Sequence, residues 1–170
     1  EPTAGKVYYN EQDITDKKLN TCKFRQNIGM VFQNFNVFPN MTVLENITLA
    51  PMLEKKVPKE QIREEALALL ARVGLADKAD EYPRKLSGGQ KRKIDVARAL
   101  FHRPSILILD EPTTGLDPQT RKIMWQGIND LRVKEGITVF LTTHYMEEVA
   151  DADYVVILDS GKIVAQGTPL

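Results

Sequence analysis

The spacing of apolar residues changes along the chain, and each change marks an element. Ile28-Gly29-Met30-Val31-Phe32 is an unbroken apolar run that reads as a strand, and it leads into a polar and aromatic loop, Gln33 to Asn40. Thr42 and Glu45 stand at capping-box spacing and predict a short helix over 43–49. After Pro58, suited to a first helical position, Ile62, Ala66, Leu69, Leu70 and Val73 recur at helical spacing until Gly74. Ser87 and Gln90 repeat the capping spacing and open a helix to about His102. Ile106 to Leu109 is a continuous aliphatic run, the pattern of a strand covered on both faces. Pro118 opens a helix carrying Ile123, Met124, Ile128 and Leu131. A second buried strand is expected over 137–141 and a short helix over 145–150. Tyr154 to Leu158 and Lys162 to Ala165 flank Asp159-Ser160-Gly161, a hairpin turn. Upstream, Pro2 to Gly5 reads as a turn and Lys6 to Tyr9 as a strand. Alternating strands and helices predict an α/β fold with a parallel sheet. Ligands of such sheets bind beyond the carboxyl ends of the strands, where Asp110 and His144 fall.

Composition narrows the function classes. With 170 residues, 42% of them hydrophobic, the chain is long enough for a buried core. Lys plus Arg and Asp plus Glu are each 23, so net charge supplies no attraction to nucleic acid, and no such partner is expected. The single Cys22 excludes an internal disulfide and a Cys-rich zinc site. No apolar run approaches the ~20 residues of a membrane span and no signal peptide is evident, so a cytoplasmic setting is expected.

Several short patterns could carry chemistry. Asp110-Glu111 ends an aliphatic strand, where a carboxylate can hold Mg2+ on a nucleotide and a second carboxylate can polarise water. A strand that simply ends in charged loop residues would give the same sequence. In Leu86-Ser87-Gly88-Gly89-Gln90, two glycines at a helix start let backbone amides approach an anion. Ser87 and Gln90 could equally just cap their own helix. Asp117 reads most simply as the N-cap of the helix opened by Pro118. His144 could contact a phosphate oxygen or be an ordinary surface histidine, and Gln33 could be a turn residue without a role.

Taken in order, these patterns resemble one family. A strand-ending Gln, Leu-Ser-Gly-Gly-Gln, an aliphatic run with Asp-Glu-Pro, Gly-Leu-Asp, and a strand-ending His are together similar to the nucleotide-binding domain of ATP-binding-cassette (ABC) transporters. The resemblance identifies Gln33 with the Q-loop, Leu86 to Gln90 with the signature motif, and Ile106 to Asp110 with the Walker B strand. Glu111 falls at the catalytic glutamate, Gly115 to Asp117 at the D-loop, and His144 at the switch histidine. Residues up to about Gln90 look like polar amino-acid importer ATPases, and those after it like drug-exporter ATPases.

The resemblance implies a P-loop-NTPase-like parallel-sheet core, residues 1–33 and 103–170, with an inserted helical subdomain over 34–102. It implies that ATP and Mg2+ bind between two domains paired head to tail. Glu111 would orient the attacking water, Asp110 and Gln33 would serve the metal, and His144 would stabilise the transferring phosphoryl group. Ser87, Gly88, Gly89 and Gln90 would reach ATP held by the partner domain, and Asp117 would link the two sites. Gln33 and the loop with Phe35, Val37 and Phe38 would meet transmembrane subunits, placing the protein at the cytoplasmic face of a membrane. Nowhere does the chain contain G-x-x-x-x-G-K-[ST], the loop that holds the β- and γ-phosphates. By the resemblance Glu1 falls just downstream of that segment, and Leu170 short of the usual end. The core is therefore expected to lack the Walker A strand and helix, to expose apolar faces that favour self-association, and to bind and hydrolyse ATP poorly by itself.

Overall fold

The computed structural model describes residues 2–54 and 56–169; Glu1 and Leu170, to which the expectations about the chain ends attach, and Lys55 lie outside the described residues. A small hairpin of β1 (Tyr8–Tyr9) and β2 (Gln12–Asp13) precedes helix α1 (Thr21–Arg25) and strand β3 (Ile28–Val31). Helices α2 (Val43–Glu54), α3 (Lys59–Arg72) and α4 (Gly88–Leu100) follow, the last two separated by 3-10 turns at Ala76–Lys78 and Pro83–Lys85. Then come β4 (Ile106–Asp110), α5 (Pro118–Glu135), β5 (Thr138–Thr142), a 3-10 turn (Met146–Glu148), and the hairpin β6 (Val155–Asp159) with β7 (Lys162–Gly167).

Local chemistry sets the helix starts. The Thr42 amide donates to Glu45 Oε2 at 2.7 Å, and the Glu45 amide donates to Thr42 Oγ1 at 3.2 Å, completing the capping box. Helix α2 then runs past the expected end, through Pro51 to Glu54. Pro51 removes one backbone donor. Burial of the face formed by Val43, Leu44, Ile47 and Pro51 outweighs that loss, since packing supplies most helix stability. Pro58 is the N-cap of α3 rather than its first residue.

Strands β3, β4 and β5 form a parallel sheet in that order, as the alternating pattern predicts. Val31, Leu107 and Leu109 are buried on one face, with Val139 and Leu141 of β5 half-buried beside them. Helix α4 lies so close over this face that a Cβ at Gly29 would stand 2.8 Å from the Ala99 carbonyl oxygen. Only glycine fits that crossing. The core continues through Ile47, Leu70 and Ile94 of the helices and Met124, Ile128 and Leu131 of α5.

The opposite face departs from the two-sided cover expected of β4 and β5, and is instead open, as the expectation of exposed apolar faces has it. β4 alternates half-buried with buried residues, and β5 alternates exposed with half-buried ones. Met30, Ile108 and Phe140 lie side by side in register on the open face, with Phe140 62% exposed. Among the described residues β5 pairs only with β4, and β6 and β7 form a separate antiparallel sheet with the expected turn at Ser160 and Gly161. An aliphatic run records that a strand is compatible with burial on both faces, whereas actual burial depends on what covers it. The helix expected over 145–150 contracts to one 3-10 turn, because Glu148 is drawn inward to threonine hydroxyls. The strand expected over 6–9 is realised only at Tyr8–Tyr9.

Leu70 is fully buried and Leu53 is 71% exposed. Chemical denaturation should show Leu70→Ala losing about 2–5 kcal/mol and Leu53→Ala changing stability by no more than about 0.5 kcal/mol.

Candidate functional site

The sheet register brings one end of three strands together. Asp110, the last residue of β4, pairs with Thr142, the last of β5, and Thr142 Oγ1 donates to Asp110 Oδ1 at 2.6 Å. Val31 of β3 pairs with Leu109, which delivers Gln33 to the same end. Glu111 leaves β4 with a φ of 43°, in the left-handed region that is strained for a residue with a side chain. Its amide holds that geometry by donating to the Thr142 carbonyl and hydroxyl oxygens, each at 3.1 Å. Glu111 Oε2 accepts from Gln33 Nε2 at 2.9 Å and from Thr114 Oγ1 at 3.1 Å. His144 Nδ1 stands 3.7 Å from the same oxygen, too far for a hydrogen bond but within ion-pair range. The side chains of His144 and Glu111 are 55% and 30% exposed, so water and a ligand can reach both.

Gln33, Asp110, Glu111 and His144 are thus four sequence candidates that the fold gathers. Their donor set is oxygen-rich and suits a hard divalent cation, which keeps several waters and is completed by substrate phosphates. Glu111 is braced from two sides and remains open to water, and a carboxylate in such a setting can serve as a general base.

The remaining candidates gather at a second place. The Ser87 amide donates to Gln90 Oε1 at 2.9 Å, and the Gln90 amide donates to Ser87 Oγ at 3.3 Å. The side chain of Gln90 is therefore engaged in capping its own helix, while Ser87 stays exposed. A Cβ on Gly88 would touch the Phe35 ring at 3.4 Å, and one on Gly89 would fall 2.4 Å from Thr120 Cγ2. Asp117 caps α5, accepting from the Thr120 amide at 3.0 Å. The Thr120 side chain and then its amide hold the Asp117 carboxyl below the usual carboxylate range.

A residue that sequence reasoning missed joins the two places. Arg92, about one turn after Gly88 along α4, is fully buried. Its guanidinium donates to the carbonyl oxygens of Phe32 and Gln33, the latter at 2.6 Å, and lies 5.0 Å from the centre of the Phe35 ring. Burial pushes the Arg92 pKa down, opposed by Asp95 and Asp110. Arg98 continues the row, donating to the Asn36 carbonyl at 2.6 Å and to Asp95 at 3.1 Å. Burial in turn raises the Asp95 pKa. The available signal was charged residues, Arg92 and Asp95, set among Ile94, Val96 and Ala97 of an otherwise apolar helix face. Asn46, also missed, accepts from the Phe38 amide at 2.7 Å and donates to the carbonyls of Phe38, Met41 and Thr42. The loop is thereby divided: Val37 packs on the core, Phe35 lies against Gly88, and Phe38 remains exposed.

The Gly89–Thr120 contact predicts a change of sign. Alanine at an unstrained helical glycine stabilises by about 0.4–1 kcal/mol. Gly89→Ala should instead destabilise the native sequence, and become neutral or stabilising beside Thr120→Ser, which removes the obstructing methyl. A denaturation double-mutant cycle measures this, with an expected coupling of about 0.5–3 kcal/mol.

Comparison with known proteins agrees with the geometry. The ABC transporter family matches residues 1–114. The chain is 46% identical to the arginine transport ATP-binding protein ArtM of Bacillus subtilis (strain 168), over 99% of this chain and 70% of that protein. It is 41% identical to the glutamine transport ATP-binding protein GlnQ of Geobacillus stearothermophilus, over 98% of this chain and 69% of that protein. Similarity to amino-acid transport proteins therefore extends past Gln90, through the part that looks like drug-exporter ATPases. The ATP-binding cassette MJ0796, solved as a dimer in a post-hydrolysis state with ADP and Pi, superposes with a TM-score of 0.88 at 32% identity, covering 99% of this chain and 75% of that one. Motif order, the parallel sheet and relatives that span almost the whole chain agree, and the chain belongs to the ATP-binding domains of ABC transporters.

Proposed function

We propose that this chain is the greater part of an ATP-hydrolysing subunit that energises amino-acid import through membrane subunits. The observation that carries the proposal is the convergence of Gln33 and His144 on one Glu111 carboxylate oxygen, at the strand ends where an α/β sheet binds ligands. Bound MgATP would supply the phosphoryl group and the cation's charge. Asp110 and Gln33 would hold the cation, with Asp110 kept in place by the Thr142 hydroxyl. Glu111 would take a proton from water at Oε2, which Gln33 Nε2 and Thr114 Oγ1 orient. His144, the more exposed of the pair, would meet the negative charge of the phosphates.

The signature residues Ser87 to Gln90 are read as serving a second cassette. Exposure of Ser87 at a preformed helix start supports this, as does a solved relative that is itself dimeric. Asp117 lies beside them and would take part in the same contact. In this reading residues 34–102 are the signature-bearing helical lobe, while 1–33 and 103–170 form the sheet core. The exposed Phe38 ring, 46% accessible, would face a membrane subunit at the cytoplasmic side. Among the described residues no helix is long and apolar enough to cross a membrane.

The 170 residues include no G-x-x-x-x-G-K-[ST], so these residues alone lack the dominant phosphate-binding term. A second reading follows, favoured by the same preformed Ser87 start: the chain lends its signature surface to a complete cassette and turns over no ATP itself. Calorimetry of the chain with MgATP should show no saturable binding up to about millimolar nucleotide. When a phosphate-loop strand and helix precede residue 1, ATP turnover should appear, and Glu111→Gln should lower kcat by about 100-fold or more. Turnover that survives Glu111→Gln would contradict the role of Glu111. If the completed protein is inert, but the 170-residue chain changes the ATPase rate of a complete cassette, the second reading holds.

A further inference from the structure

The buried carboxylate of Glu148 is not used in the reading above. Glu148 ends the 3-10 turn after β5, and its side chain is 2% exposed. A carboxylate removed from water must be compensated by hydrogen bonds and opposite charge. Glu148 Oε1 accepts from Thr113 Oγ1, and Oε2 accepts from Thr143 Oγ1 at 2.6 Å. The guanidinium of Arg121 supplies charge, with Nε 3.9 Å from Oε1 and, among the described residues, without a hydrogen-bond partner. Arg121 also lies 4.0 Å from the centre of the Tyr145 ring, and that ring lies against His144 with centroids 4.2 Å apart, tilted by 36°.

The partners matter for where they stand in the chain. Thr113 follows Glu111 by two residues, across the buried Pro112, and is 1% exposed. Thr143 immediately precedes His144, and its hydroxyl accepts from the Tyr145 amide at 3.1 Å, closing the backbone around His144. One rigid carboxylate therefore ties the exit of β4 to the exit of β5. We propose that Glu148 is a positioning residue that fixes the separation of Glu111 and His144. The proposal rests on the reading that those two side chains carry the chemistry, yet it concerns their placement and can be tested without nucleotide.

The test is amide hydrogen exchange and side-chain amide NMR on the 170-residue chain, comparing Glu148→Ala, Glu148→Gln and, as a purely structural control, Leu70→Ala. Glu148→Ala should speed exchange of the Glu111, Thr114 and Tyr145 amides by about tenfold more than it speeds those of α2 and α3. It should also shift the Gln33 side-chain amide, which reports its bond to Glu111. Glu148→Gln should restore most of both, because a carboxamide can accept from one threonine hydroxyl and donate to the other. Leu70→Ala should not move the Gln33 signal. If Glu148→Ala does not fold, Thr113→Val cuts one of the two ties without touching the acceptor of the Tyr145 amide, and should give the same local pattern more weakly. Unchanged signals at Glu111, Tyr145 and Gln33, or acceleration spread evenly over the chain, would overturn the proposal. Failure of Glu111 in the ATP measurements would leave this placement result standing, so the two ideas fail separately.

Discussion

Backbone carbonyls that leave the end of a sheet strand lose their ladder partners, and at the end of β3 Arg92 supplies donors to them. Its guanidinium bonds the carbonyls of Phe32 and Gln33 from a fully buried position on α4. Desolvating the cation opposes this arrangement, and Asp95 and Asp110 offset part of the loss. The consequence is mechanical. The strand that presents Gln33 cannot shift without breaking charge-assisted bonds to the helix whose first turn is the signature motif. Phe35, resting against Gly88 and under Arg92, adds a packing contact along the same helix face.

From this anchor the rest of the site follows by register. Val31 beside Leu109, and Asp110 beside Thr142, set Gln33, Glu111 and His144 around a common space. The strained φ at Glu111 turns its side chain out of the strand's alternation and toward Gln33 and Thr114, while Thr142 holds the peptide behind it. Backbone strain at a position with this many restraints costs of order 1–3 kcal/mol and is offset by the surrounding bonds. The D-loop side is organised differently. Contact between Gly89 and Thr120 packs the start of α4 on the start of α5, so the signature glycines serve close helix approach as well as any anion.

Local chemistry is what the sequence made legible. Capping boxes at Thr42–Glu45 and Ser87–Gln90, the Asp117 cap before Pro118, and the aliphatic run of β4 depend on neighbours within a few residues, and each forms as its spacing predicts. Motif order carried the family because each short pattern adds an independent constraint. What stayed hidden depends on distant partners. The passage of α2 through Pro51 reflects burial of its inner face. Arg92 reads as one more charge in Lys91-Arg92-Lys93 until the loop it holds is placed beside it.

Through Arg92, the loop after Gln33 and helix α4 are held as one body. Hydrogen exchange followed through mild denaturant tests it most directly, by asking whether the amides from Gln33 to Phe38 open together with those of α4. The protected amides of both segments should share one opening free energy, and Arg92→Gln should abolish that match while β4 keeps its protection. Loop amides that open independently of α4 in the native chain, or a match that survives Arg92→Gln, would contradict it.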